Sequence, residues 1–297
     1  MNTARLLHAA DESVRLCGRV LRLFDPVRFV GAARDGFYVV KRHWRLAVAM
    51  ARRELSTRYA GQMMGSFWII GHPLLQMLIF VFLFAVVFNQ KMGGTFDLPR
   101  DYTVYILSGL VAWLSILPVL TGSCYSIVGN AALVKQFNFE LEALPVKDVL
   151  TAMLFWFVGV AIVSVYTLWS YHSVPWTYVL LPVVLVVQII TLIGFAWLLS
   201  AVAVFFRDLK DIVTVWSNLG VFLLPIVYLP QWVPEIFRPF VYSNPLSCVI
   251  WMHQDVLYFG RIEHPVSWLV STILALLIFS TGHRVFQRLR PLFGNVL

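Results

Sequence analysis

Charged residues are scarce in this chain of 297 residues. They make up 13% of it, whereas roughly a quarter is usual for a soluble domain. Hydrophobic residues reach 60% and fall in long runs, several of them near the roughly 18–20 residues that cross a bilayer as a helix. The sequence therefore predicts an all-α polytopic membrane protein, and a β-barrel is disfavoured because the runs do not alternate with polar residues.

Cysteine is also rare. The three cysteines are odd in number and lack CxxC spacing, so the sequence predicts neither a disulfide framework nor a metal site. The serine and cysteine residues within the apolar runs have no evident base at a matching depth, so no catalytic residue is assigned.

Six apolar runs define the predicted membrane domain at 67–283. The predicted spans are 67–88, 102–128, 149–171, 176–206, 212–229 and 266–282. Residues 1–66 are predicted to form an amphipathic, interfacial N-terminal region, and residues 284–297 a short tail. The segment 230–265 is apolar but interrupted by prolines, which favours short re-entrant helices on the outer side over a solvated loop.

Basic residues are unevenly distributed between the two sides of these spans. Of the 23 Lys and Arg residues, 19 fall before the first span, in the two loops that follow the second and fourth spans, or in the tail. By the positive-inside rule, both termini are predicted to lie in the cytoplasm. The bilayer also accounts for the net charge of +8, so a nucleic-acid partner is not predicted.

The sequence lacks the residues that usually couple transport to an energy source. The predicted spans contain no Asp, Glu, Lys or Arg, although ion-driven transporters usually need ionisable groups at depth; a sodium site lined by backbone carbonyls is the alternative. A GxxxxGK[ST] phosphate-binding loop is also absent. We therefore expect no cofactor in this chain, and a transporter of this kind would depend on a separate ATPase that carries the ATP and Mg²⁺.

Two predicted cytoplasmic stretches mix aromatic with charged residues. Such mixtures suit an interface, although charge alone is equally typical of a solvated connection. The candidates for ATPase docking are Lys135, Phe137, Phe139, Glu140, Glu142, Arg207 and Asp208. Three aromatic residues of the second predicted span, Tyr102, Tyr105 and Trp113, are candidates for stacking against sugar rings, with packing or lipid contact as the alternative.

Seven short motifs resemble one family, the ABC-2 permeases for polysaccharide export. An RE-x-x-x-RY helix typical of that family is matched at 53–59, ahead of a GSFW stretch at 65–68 and a PL pair at 73–74. Later matches are FFRDL at 205–209, LPIVY at 224–228, NPL at 244–246 and LRPLF at 289–293. The chain departs from the family pattern at Met64, His72 and Leu224.

The resemblance implies a six-span subunit of the bacterial inner membrane that pairs with a second copy and with two ATPase chains. It implies a coupling helix within 134–148 and gate helices within 230–265. The implied substrate is a polysaccharide on a lipid carrier, with O-antigen as the nearest match. A carrier phosphate would suit the arginines Arg52, Arg53 and Arg58, with anchoring of the helix to membrane lipid as the alternative. An ABC-2 permease for a drug or another lipid, and a membrane enzyme acting on lipid-linked sugar, are the alternatives.

Overall fold

Helices make up almost all of the regular structure that the computed structural model describes, which covers residues 26–58, 60–87, 101–135 and 140–297. The main helices are α1 Pro26–Arg58, α2 Trp68–Val81, α3 Tyr102–Ser126, α4 Ala143–Tyr171, α5 Leu181–Ala203, α6 Leu209–Leu223, α7 Arg238–Ser243, α8 Pro245–Gln254 and α9 Pro265–Leu289. Wider π-helical turns extend α2 over Phe82–Val87 and α8 over Asp255–Phe259. The predicted all-α class is confirmed.

Four helices among the described residues are long and apolar enough to cross a membrane. They are Tyr102–Ser126, Ala143–Tyr171, Trp176–Ala203 and Pro265–Leu292. The predicted spans at 67–88 and 212–229 correspond to shorter helices, an apolar stretch over Trp68–Phe84 and the 15 residues of α6. The chain is thus a multi-pass membrane protein, and the count of six spans stays a prediction.

The helix of the fifth predicted span ends earlier than its apolar run predicts. We expected it to reach residue 229, but α6 ends at Leu223, and Leu224 is extended with φ −99° and ψ 154°. Pro225 is the physical reason, because a proline ring disfavours the helical conformation of the residue before it.

Helix α3 lies at the centre of the bundle. It packs against α2, α4, α5, α6 and α8, and almost all of its residues are buried. Its contact with α6 depends on Gly220, since a Cβ placed there would lie 2.2 Å from the Trp113 ring.

Helices α5 and α9 cross at two glycines. A Cβ on Gly282 would lie 2.1 Å from the carbonyl oxygen of Gly194. A Cβ on Gly194 would lie 2.5 Å from the backbone nitrogen of Phe279. Small residues allow membrane helices to approach this closely.

Helix α1 packs along α4 and α9. Its buried face follows helical spacing with small side chains, from Ala32 and Gly36 to Ala47 and Ala51. The Phe37 ring lies 4.7 Å from that of Phe279 on α9. The predicted amphipathic pattern before residue 25 lies outside the described residues, and the domain boundary at 66 stays a prediction.

The segment 230–265 contains short helices, as expected. Asn244 caps α8 by accepting a hydrogen bond from the Leu246 backbone N–H at 3.0 Å, and Pro245 occupies the first turn, where its missing N–H costs nothing. The NPL motif is therefore a helix start. All of α8 beyond Pro245 is buried, against α3 and α9. Whether these helices are re-entrant in the bilayer stays a prediction.

Candidate functional site

A cluster of charged side chains lies where the end of α1 meets the start of α4. Glu54 and Arg58 are four residues apart on α1, so they share one helix face, and their side chains form an ion pair at 2.9 Å. The second oxygen of Glu54 lies 2.5 Å from the ammonium of Lys147 on α4. Lys147 also contacts the Asp148 carboxylate at 2.6 Å. Glu54 therefore links two helices that are distant in sequence.

Two members of this cluster, Lys147 and Asp148, are largely buried. Only 11% of the Lys147 side chain is exposed and only 9% of that of Asp148. A buried charge is tolerated when it is paired and hydrogen-bonded, and Lys147 has two carboxylate partners. With Arg53 and Arg58, the cluster carries three basic and two acidic groups, so one positive charge is left over.

A cavity of about 650 Å³ opens beside this cluster. It is bounded by the last two turns of α1, the end of α3 and the start of α4. Its charged wall consists of Arg53, Glu54, Arg58, Lys147 and Asp148, and Asn130 adds an amide. An anion in this cavity would meet the excess positive charge and the paired donors of two guanidinium groups.

The three arginines predicted to bind a headgroup do not lie together. Arg53 and Arg58 line the cavity, whereas Arg52 is exposed and lies outside its wall. Sequence reasoning missed Glu54, Lys147 and Asp148. The four-residue spacing from Glu54 to Arg58 was visible, but the partnership with Lys147 joins residues 93 positions apart.

The three aromatic candidates for a sugar path are buried. The Tyr102 hydroxyl donates to the Val227 carbonyl, and the Tyr105 hydroxyl lies 3.2 Å from the carbonyls of Pro225 and Tyr228. Trp113 packs on Gly220 of α6. All three residues are thus enclosed by the chain's own helices in this conformation, and the sugar-path interpretation stays a prediction.

Tyr102 and Tyr105 instead form hydrogen bonds with backbone carbonyls in the non-helical segment that follows α6. The extended residues after Leu223 leave carbonyls without helical partners, which is costly in a membrane unless other protein groups bind them. Tyr102, Tyr105 and the Gln254 amide, which donates to the Pro225 carbonyl at 2.8 Å, fill that role. Gln254 was not singled out from the sequence.

The ATPase-docking candidates divide into exposed and buried residues. Lys135, Arg207 and Asp208 are exposed. Glu140 is half-buried, and its carboxylate lies 3.4 Å from the His43 ring. Phe137 and Phe139 lie outside the described residues.

Glu142 is the buried member of the docking candidates. Its side chain is 3% exposed and accepts from Arg290 and from the Gln287 amide of α9. A carboxylate enclosed in this way holds the chain's own helices together, and its role in ATPase docking stays a prediction.

Acidic and histidine residues near 255–264 form a hydrogen-bonded cluster. Asp255 is fully buried, and its carboxylate contacts the His264 ring at 2.8 Å and accepts from the Trp268 indole at 2.9 Å. Hydrogen bonding thus accounts for these residues. No group of three or more metal-binding side chains occurs among the described residues.

Comparison with known proteins gives one family and several relatives. The family model described as ABC-2 type transporter matches residues 45–258. An "O-antigen export system permease protein RfbA" of Klebsiella pneumoniae is 27% identical over 256 residues, covering 85% of this chain and 95% of the relative. A Myxococcus xanthus protein of the same name is 26% identical over 253 residues, which cover 84% of this chain and 94% of the relative.

A more distant relative is the "Polysialic acid transport protein KpsM" of Escherichia coli. It is 21% identical over 262 residues, which cover 86% of this chain and 96% of the relative. The family match includes the end of α1, the charged cavity and the helices up to Tyr258. The chain belongs to the ABC-2 type transporter family.

Proposed function

We propose that this chain is the permease subunit of an ABC exporter that moves a lipid-linked polysaccharide, O-antigen, across the bacterial inner membrane. The observation that carries the proposal is the cavity of about 650 Å³ lined by Arg53 and Arg58. A lipid carrier presents a phosphate or pyrophosphate, and such a group needs its charge matched before it leaves the headgroup layer. Relatives named as O-antigen export permeases over most of the chain support this substrate class.

Energy is proposed to come from a partner. The chain has no phosphate-binding loop, so we expect it to hydrolyse no ATP after purification on its own. The proposed assembly is a homodimer of this chain with two ATPase subunits on the cytoplasmic side, where both termini lie. The carrier headgroup would enter the cavity from the same side.

Glu54 has a positioning role in this proposal. Its carboxylate contacts Arg58 and Lys147 at once, so it restrains the guanidinium that faces the cavity. An isolated arginine would have to lose side-chain freedom on binding the anion, whereas one already held loses less.

The arginines of α1 give a matched test of headgroup recognition. Lysine keeps the charge that anchors a helix to lipid but loses the two parallel donors of arginine. We expect Arg53→Lys with Arg58→Lys to lower export of surface polysaccharide at least tenfold, with normal membrane insertion. Arg52→Lys is the control, since Arg52 lies outside the cavity, and it should export like the wild type.

Two results would contradict the assignment. Wild-type export by the double lysine variant would leave the arginines with only an anchoring role. An equal loss of export in Arg52→Lys would show that the loss does not depend on whether the arginine lines the cavity.

A further inference from the structure

A second cavity, of about 410 Å³, adjoins the charged one. Three residues, Arg58, Pro118 and Phe155, line both cavities. A phosphate group bound by Arg58 would therefore have the second cavity immediately beside it. Its volume lies within the roughly 300–1,000 Å³ usual for small-molecule sites.

Three polar side chains on this second cavity have no assigned role. His72 and Gln76 are four residues apart on α2, so they lie on one face of that helix, and Gln62 lies in the turn before it. All three are exposed. The His72 ring lies 5.4 Å from the Trp68 ring, but within the described part of the chain none of the three forms a side-chain hydrogen bond.

Polar groups in this position call for a polar occupant. Helix α2 is otherwise apolar, and amides or imidazoles on such a helix usually face a partner or a water-filled space. A lipid chain in the cavity would leave these donors and acceptors without partners, which is unfavourable. A sugar offers hydroxyls to the polar groups and a carbon face to the apolar walls at Leu117 and Phe155.

We infer that the second cavity binds the sugar attached to the carrier phosphate, with Gln62, His72 and Gln76 as its hydrogen-bonding groups. This inference rests on the proposed function, because it takes the phosphate to be bound at Arg53 and Arg58. It adds a carbohydrate subsite that recognises the first sugar of the substrate and not only its charge.

Binding to the purified full-length chain in nanodiscs separates the two sites. The probes are farnesyl pyrophosphate and the same molecule carrying N-acetylglucosamine, galactose or mannose on its terminal phosphate. We expect the wild type to bind at least one sugar-bearing probe ten to a hundred times more tightly than the bare probe, as two or three neutral hydrogen bonds allow.

Variants then show which residues produce the tighter binding of the sugar-bearing probe. His72→Leu with Gln76→Leu should remove the preference for the sugar-bearing probe and leave the affinity for the bare probe unchanged, which also shows that the variant is folded. Gln231→Leu, an exposed glutamine outside both cavities, is the control and should keep the preference. Arg58→Lys should weaken the binding of every probe.

Each contrary outcome has a distinct meaning. If no sugar-bearing probe binds more tightly than farnesyl pyrophosphate, or if the leucine variant keeps the preference, the sugar subsite is wrong and the headgroup site stands. If the wild type binds none of the probes, headgroup recognition fails and the subsite fails with it.

Discussion

Single buried charges hold the helices of this protein together at one end. Glu142, just before α4, accepts from Arg290 and Gln287 near the end of α9, and the Trp197 indole of α5 donates to its backbone carbonyl at 3.2 Å. One residue thus joins three helices. Helix α9 ends at Leu289, and Arg290 begins a 3₁₀ turn that contains Pro291, so the LRPLF motif places the guanidinium where Glu142 can accept from it.

Removing Arg290 is expected to destabilise the chain. A fully buried ion pair that loses one partner costs roughly 3–5 kcal/mol. Arg290 keeps 34% of its side chain exposed, so we expect Arg290→Met to cost about 1–3 kcal/mol. In detergent, the apparent Tm should fall by roughly 2–10 °C.

An exposed ion pair provides the control for that measurement. Arg261 and Glu263 lie 2.7 Å apart with 69% and 40% of their side chains exposed. Exposed pairs contribute about 0–1 kcal/mol, so Arg261→Met should leave the Tm nearly unchanged. Equal shifts for Arg290→Met and Arg261→Met would contradict a stabilising role for the Glu142 contacts.

Two features position whole helices in this bundle. One is the pair of glycines where α5 and α9 cross, and the other is the non-helical backbone that follows α6. The crossing of α5 and α9 brings Gly194 and Gly282 into backbone contact, and the end of α6 unwinds beside Tyr102 and Tyr105. At the crossing, the obstacle to a larger side chain is backbone, which cannot rotate away as a side chain can.

Gly282→Ala should therefore separate α5 from α9. The added methyl group would lie 2.1 Å from the Gly194 carbonyl oxygen, so the helices must shift, and overpacking of this kind costs roughly 1–3 kcal/mol or more. We expect a lower yield of monodisperse protein and a Tm lowered by several degrees. Gly31→Ala on α1 is the control, because nothing lies within 4 Å of the added Cβ.

Comparison of the two alanine variants tests the crossing. Gly31→Ala should behave like the wild type or be slightly more stable, since alanine favours a helix over glycine. A wild-type melting curve for Gly282→Ala would show that the two helices do not approach as closely as the structure indicates.

At the scale of the molecule, the charged cavity and the exposed docking candidates lie at one end of the bundle. The Lys210 ammonium lies 4.3 Å from the Tyr125 ring at the end of α3, and Phe205 contacts Phe293 near the C terminus. The turn between α5 and α6, the end of α3 and the chain's last residues are thus neighbours. The charged cavity lies at the same end, since the end of α3 lines it.

Docking of the ATPase is predicted to use the exposed residues of this end. Lys135→Glu with Arg207→Glu should reduce recovery of the cognate ATPase in a pull-down at least tenfold, because reversed charges oppose a matched partner surface. Arg261→Glu, at the opposite end near α9's start, is the control. Glu142 is left unchanged, since it is buried within the chain. Full ATPase recovery with the double variant would place the docking surface elsewhere.

The sequence by itself determined the class of protein and the position of most helices. In a bilayer, a long apolar run satisfies its backbone hydrogen bonds by forming a helix. The runs that form α3, α4, α5 and α9 were therefore visible from composition alone. The motif at Asn244 and the stop at Pro225 are likewise local, since capping and proline geometry act over a few residues, although the span predicted at 212–229 ran past that stop.

Tertiary structure decided which side chains meet. Arg53 and Arg58 were predicted together with Arg52, but only the packing of α1 on α4 turns two of them towards the cavity and pairs Glu54 with Lys147. Other helix contacts bury Tyr105, beside the residues that follow α6, and Glu142, beside α5 and the end of α9, although the sequence predicts both as accessible groups. Burial and ion pairing depend on how helices distant in sequence approach one another, and no local pattern of residues specifies that approach.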